Sequence, residues 1–232
     1  IGQGIAVALA AAGANVGMNY RSNAVGAEET ARRVRELGRH ALVMKADVGD
    51  PAQVAAMFRL LDAEMGPIDI LVANAGHGST PKPLHETSWD EWDRVLRSNL
   101  HGAFLCGREA ARRMVAAGNG GRIVNISSVH EEACNMPDDG PYCVAKAGVR
   151  NLTRAMALEL GPYGITVNDV APGMILTPMN RRALANHRPV RRRCSRCAGR
   201  GAALCGVVRG GGHGLDHHRR RGRGLYGDAR PL

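Results

Sequence analysis

Gly66-Pro-Ile-Asp-Ile-Leu-Val-Ala-Asn-Ala-Gly76 is the stretch on which the fold turns. A Gly-Pro break leads into an apolar run from Ile68 to Ala73, and a short polar turn with a glycine ends it. A run without polar alternation reads as a strand covered on both faces. Such a strand needs helices on either side, and the flanking sequence supplies them. Residues 51–65 open on Pro51, a good first helical residue, and stop at Gly66. Residues 89–117 read as one long helical region. Working outward, helices are expected over 1–12, 23–37 (with Gly38 just past the end) and 142–160. Strands are expected over 16–20, 40–46, 122–127 and 166–171. Strands alternating with helices of this length predict an α/β fold built on a doubly wound parallel sheet. Ligands of such sheets bind at the carboxyl ends of the strands. Asp47, Asn74, Ser128 and Pro172-Gly173 all fall at those ends.

At 232 residues and 44 % hydrophobic content, the chain is long enough for one domain with a sizeable core. No apolar stretch is long enough to span a bilayer, so no membrane partner is expected. The opening Ile1-Gly-Gln-Gly4 has no leader character. Six cysteines in a chain of this size fit a reducing cytoplasm better than a disulfide framework. The net charge of +10 is unevenly spread: twelve arginines, no lysine and two acids, Asp216 and Asp228, lie after His187. Those residues therefore carry the whole excess, while nineteen basic and nineteen acidic residues balance before them. The expected organisation is a neutral domain over 1–186 and a disordered, non-native basic Arg/Gly-rich tail over 187–232.

The chemistry centres on Tyr142-Cys-Val-Ala-Lys146, with Ser128 upstream at the end of an apolar run. Tyr and Lys four apart share one helix face. An ammonium beside the phenol is expected to favour phenolate and draw the Tyr142 pKa down, making it a general acid or base. Ser128 can donate to the same substrate oxygen.

With these residues assembled, the chain resembles the classical short-chain dehydrogenases/reductases. Ile1-Gly2 is similar to the end of their glycine-rich cofactor loop. Ala73-Asn-Ala-Gly76 resembles the motif after their fourth strand. Asn99-Leu-His-Gly-Ala-Phe104, Ser128, Tyr142, Lys146 and Pro172-Gly-Met-Ile-Leu-Thr177 match the remaining motifs in order. Ser128-Val-His-Glu131 and the segment from Leu158 to Val167 are most similar to glucose 1-dehydrogenase-type members, with 3-oxoacyl-carrier-protein reductases close behind.

The resemblance implies a Rossmann-like sheet and hydride transfer between a nicotinamide cofactor and an alcohol or carbonyl of sugar or oxoacyl type. Tyr142 would exchange the substrate proton, Ser128 would hold the oxygen, and Lys146 would bind the nicotinamide ribose. Asn99 would position a relay water. Ile1, Gly2, Tyr20, Arg21, Ser22, Asp47, Val48, Asn74, Ala75, Gly76, Pro172, Gly173 and Thr177, with Tyr142 and Lys146, would line the cofactor. Family members usually form tetramers through helices of the body. The place after the second family strand holds Asn19-Tyr-Arg-Ser22, with one Arg and no acid to repel a 2′-phosphate, so NADP is expected over NAD.

Three departures accompany the resemblance. One extra residue separates Ser128 from Tyr142; it falls within 134–141, which leaves Ser128 rather than Ser127 as the candidate. The family's first strand is expected to be missing. The tail lacks the family's last strand, yet Gly212-His-Gly-Leu-Asp-His-His-Arg-Arg-Arg-Gly222, displaced by one base, is compatible with Val-Thr-Gly-Ser-Thr-Thr-Ile-Val-Asp-Gly-Gly. A tail read out of frame is therefore expected. Two other readings of the tail are weaker. Cys194-Ser-Arg-Cys197, Cys205 and the histidines His213, His217 and His218 imitate metal-ligand spacing but lack a second well-spaced pair, so no metal is expected. The Arg clusters have no interleaved aromatics, which argues against an evolved nucleic-acid partner. An inactive remnant with a non-specific basic nucleic-acid-binding tail is the alternative function.

Overall fold

The computed structural model describes residues 1–132, 138–173 and 175, and the backbone of 207–210. The helices are α1 (Gly2–Ala11), α2 (Ala24–Glu36), α3 (Pro51–Met65), α4 (Trp89–Leu96), α5 (Gly102–Ala117) and α6 (Gly140–Leu160). The strands are β1 (Ala14–Tyr20), β2 (Ala41–Lys45), β3 (Ile70–Ala73), β4 (Gly121–Ile126), β5 (Ile165–Val170) and β6 (Val207–Gly210). Local chemistry sets the helix starts. The Asn23 side chain accepts from Gly26 N at 2.9 Å, the Asp50 side chain from Ala52 N at 2.8 Å, and Ser88 Oγ from Glu91 N at 3.3 Å. Each satisfies an amide that the first turn leaves without a helical partner.

The sheet runs β2-β1-β6-β3-β4-β5, and β2, β1 and β3, β4, β5 pair in parallel. Helices cover both faces. On one, Phe58 and Leu61 of α3 and Met114 of α5 pack with Ile123 and Ile165. On the other, Ala6 of α1 and Val34 of α2 pack with Val16, while Ile5 meets Val72 and Ile126. The doubly wound α/β arrangement read from the sequence is therefore present.

One strand departs from the all-parallel expectation. β6 comes from the basic tail and lies between β1 and β3, antiparallel to both. Ala14 to Gly17 pair with Gly210 to Val207, and Ile70 pairs with Val208. The position expected to lack a first strand is thus filled from elsewhere in the chain, which supplies partners for backbone groups on β1 and β3. The other tail features singled out in the sequence, including the out-of-frame motif and the Cys/His spacing, lie outside the described residues. Among the described residues, no helix is long and apolar enough to cross a membrane, and no group of three His, Cys, Asp or Glu could hold a metal ion.

Candidate active site

The carboxyl ends of β3 and β4, the first turns of α6 and the junction of α4 with α5 bring four of the sequence-predicted residues to one place. Tyr142 and Lys146 lie on one face of α6, which Pro141 helps to start. Lys146 is 4 % exposed, a state that an ammonium tolerates only with partners. Its Nζ donates to the Ile126 carbonyl at 2.9 Å and lies 5.5 Å from the centre of the Tyr142 ring. Burial lowers its pKa to about 8, against the opposing pull of Asp169.

Ser128 follows β4 in extended backbone and caps the single 3₁₀ turn Val129–Glu131, its Oγ accepting from His130 N at 3.3 Å. The same hydroxyl is hydrogen-bonded to the Tyr142 side chain. Ser127 is turned elsewhere: its Oγ donates to Asp169 Oδ2 at 2.9 Å. The His130 ring stands edge-on to Tyr142, with centroids 6.0 Å apart.

The expected lowering of the Tyr142 pKa is not what the structure gives. Burial pushes the phenol above its usual 10.0, the Ser128 bond lowers it by less, and Asp139 adds to the rise. The physical reason is that Lys146 points at a backbone carbonyl and is itself held below its ordinary pKa by burial. Proximity on a helix face does not guarantee a charge on the neighbour.

Asn99 belongs to a π-turn, Arg97–His101, that joins α4 to α5. Widened turns of this kind often occur at functional sites. Asn99 is 1 % exposed; its Nδ2 donates to Val95 O and His77 O, both at 2.9 Å, and its Oδ1 is buried with no protein donor. Gly76 makes this possible. A Cβ built there would stand 2.3 Å from Asn99 Oδ1 and 3.6 Å from Lys146 Nζ. The cradle and the orphaned oxygen fit a polar group or a water held between Asn99 and Lys146.

The predicted cofactor residues are more dispersed. Ile1 and Gly2 begin α1, one turn before Ile5 and its packing on Val72 and Ile126. Tyr20 ends β1, and Arg21 and Ser22 follow it. Arg21 lies 3.8 Å from Asp47 Oδ2, both side chains substantially exposed, and Asp47 Oδ1 accepts from Gly49 N at 2.9 Å. An open cleft of about 510 Å³ adjoins them, lined also by Gly49, Asp90, Arg94 and Arg97. Val48 is buried against Gly102. Asn74 is half-buried and Ala75 exposed after β3. Pro172 O accepts from Val129 N at 3.1 Å, which ties the half-buried Pro172 and exposed Gly173 to the Ser128 turn. Thr177 lies outside the described residues.

Sequence reasoning missed the residues that brace the site. Ser79 Oγ accepts from Tyr142 N at 3.2 Å, and Asp139 Oδ1 accepts from Ser79 N at 3.3 Å. Glu91 Oε1 accepts from Thr80 N at 2.7 Å, fastening the same loop to α4. Asp139 before Gly140-Pro141 carried the one visible signal, that of a helix cap. It makes no side-chain bond to its own helix.

Comparisons with known proteins identify the family. The family model described as enoyl-(acyl carrier protein) reductase matches residues 1–201. A protein of Picea abies named short-chain type dehydrogenase/reductase is 45 % identical over 186 residues, covering 77 % of this chain and 68 % of its own. The gluconate 5-dehydrogenase of Burkholderia cenocepacia, solved in complex with NADP and tartrate, is 38 % identical with a TM-score of 0.70, covering 80 % of this chain and 73 % of the other. The carveol dehydrogenase of Mycobacterium avium, solved in complex with NAD, is 32 % identical with a TM-score of 0.73, covering 77 % and 68 %. The chain belongs to the short-chain dehydrogenase/reductase family. It is an oxidoreductase of that type; of the two solved relatives above, one holds NAD and the other NADP.

Proposed function

We propose that the chain interconverts a small alcohol and its carbonyl with NADP(H), on a substrate of sugar or 3-oxoacyl type, using Asn99, Ser128, Tyr142 and Lys146. The observation that carries this reading is the Tyr142 phenol hydrogen-bonded to Ser128, with Lys146 buried beneath the same ring. When bound, the nicotinamide supplies or accepts the hydride. Ser128 donates to the substrate oxygen and orients it. Tyr142 gives a proton to that oxygen in reduction and takes it back in oxidation. The raised phenol pKa suits the acid role, and substrate and cofactor groups brought close to Lys146 decide how readily the base form is reached. Lys146 holds the ribose side of the cofactor, and Asn99 Oδ1 anchors the water through which the proton reaches solvent.

Ile1, Gly2, Asn74, Ala75, Gly76, Pro172 and Gly173 line the cofactor in this reading. Asp47 and Val48 meet the adenine, and Thr177 meets the carboxamide. NADP is favoured because Arg21 is an exposed guanidinium at the end of β1 with only a loose carboxylate partner at 3.8 Å, free to take a 2′-phosphate. The residues given roles here all lie within 1–186, the catalytic domain in this reading, to whose sheet the tail adds β6.

The test is Tyr142→Phe. Turnover is expected to fall by a factor on the order of 10²–10⁴, the range of general acid–base catalysis. NADPH binding, followed by fluorescence titration, is expected to stay within about two-fold, since the ring and its packing persist. Retained turnover would remove Tyr142 from the proton transfer. Absence of saturable NADPH binding in the parent chain would remove the cofactor assignment.

A further inference from the structure

Beneath the Ser128 turn lies a pair of acids that the proposed chemistry does not use. Asp169 sits on β5 opposite Asn125 of β4. Its Oδ2 accepts from Ser127 Oγ at 2.9 Å, while its Oδ1 is sealed from solvent with no donor. The carboxyl of Glu131, at the far end of the Val129–Glu131 turn, hydrogen-bonds to that of Asp169, and Glu131 Oε2 is likewise buried without a donor. A carboxylate oxygen only accepts, so two neighbouring carboxyls with orphaned buried oxygens need a proton between them. Asp169 therefore touches both ends of the five residues that present Ser128.

The surroundings are mixed in charge. Arg150 of α6 stands 3.7 Å from Glu131 Oε1 and also holds Glu132. Lys146 attracts Asp169, but this is the smallest of the influences on that carboxyl. His130 faces away from the pair, its Nδ1 3.8 Å from Asp139.

We propose that Glu131 and Asp169 share one proton and act as a positioning pair, a clamp that closes residues 127–131 and sets Ser128 against Tyr142. The functional half of this rests on the role given to Ser128 above. Burial, then the bond to Glu131, raises Asp169 from 3.8 to about 6. A carboxyl raised in the folded state contributes stability that is complete below 3.8 and is lost as the pH rises through about 6. The clamp is thus firm in mild acid and weakened at neutral pH, where the pair carries a second charge.

Asp169→Asn tests it, because the amide keeps an oxygen for Ser127 and offers an N–H in place of the shared proton at every pH. At pH about 7.5 the variant is expected to melt about 2–4 °C above the parent, with the gap narrowing as the pH falls through about 6, and at pH about 3.5 the two should nearly coincide. Glu131→Gln should follow the same pattern, which guards against a peculiarity of one site. The pH profile of kcat for the parent should show a step near about 6 that is absent from Asp169→Asn. A variant less stable than the parent at both pH values would show that the carboxylate serves Lys146 instead, and would overturn the clamp. A supportive melting result with an unchanged kcat profile would overturn the positioning role. If the parent turns nothing over, the melting comparison still judges the proton-sharing pair, and only the proposed function falls.

Discussion

The two halves of the sheet present polar residues at their strand ends in opposite ways. Around the carboxyl ends of β3 and β4, the groups Asn99, Ser128 and Lys146 are nearly inaccessible and each is held by named partners. After β1 and β2, Arg21 and Asp47 stand in the open, 3.8 Å apart, beside a wide cleft. The difference teaches which part of the reaction each half can serve. Proton transfer needs groups fixed before the substrate arrives, and fixing them costs burial that only a full set of bonds can offset. Recognising the charged, exposed end of a dinucleotide needs reach and sign more than fixed geometry, and solvent screens it.

This contrast can be broken most severely at Gly76. Gly76→Ala would set a methyl 2.3 Å from Asn99 Oδ1 and displace an amide that has nowhere to move. A displacement of that size is expected to cost about 10²-fold in kcat/KM or more. Unchanged kinetics would mean that the held half is not rigid. On the open half, Arg21→Ala should raise the KM for NADPH by about ten-fold, the worth of one charge-assisted hydrogen bond, and leave NADH nearly untouched. Equal effects on both nucleotides would separate Arg21 from the 2′-phosphate. The smallest effect is expected at Glu91, whose carboxyl is held down to about 2 chiefly by the Thr80 amide and then by Arg94. A depressed acid contributes stability that is present above 4.5 and lost as the pH falls through about 2. Glu91→Gln should therefore lower the melting temperature by about 2–4 °C at neutral pH, with the deficit closing in acid. A deficit that persists at low pH would mean that shape rather than charge holds the loop after β3.

Much of the architecture was legible because apolar runs and helix punctuation are local signals. Ile68 to Ala73, Pro51 and Gly66 each describe their own element, and the observed strands and helices fall within a few residues of the expected ones. The meeting of Ser128, Tyr142, Lys146 and Asn99 was legible through order and spacing along a familiar pattern. Solvation was not. The phenol pKa moves up because burial outweighs its neighbours, and burial is a property of the packed whole. Nor could sequence distance reveal that Asp169 and Glu131 meet, since strand register alone brings β5 beside the turn after β4. β6 escaped notice because Val207-Val-Arg-Gly210 is a short stretch set between glycines, and because it fills its slot in the antiparallel sense.

The π-turn at Arg97–His101 has a consequence for how the chain can change length. Gly102 N reaches back to Arg97 O, so the turn holds one residue more than an α-helix would. Deleting any one of those five residues would restore an ordinary helix with α4 and α5 still nearly in phase, because the extra residue is what the widened turn accommodates, and the bulge that sets Asn99 apart would be lost. Asn99, or whatever replaced it, would then leave His77 and Gly76 behind. Insertions and deletions, usually absorbed by surface loops, are expected to be lethal to function in this short stretch of helix, where many single substitutions would be milder.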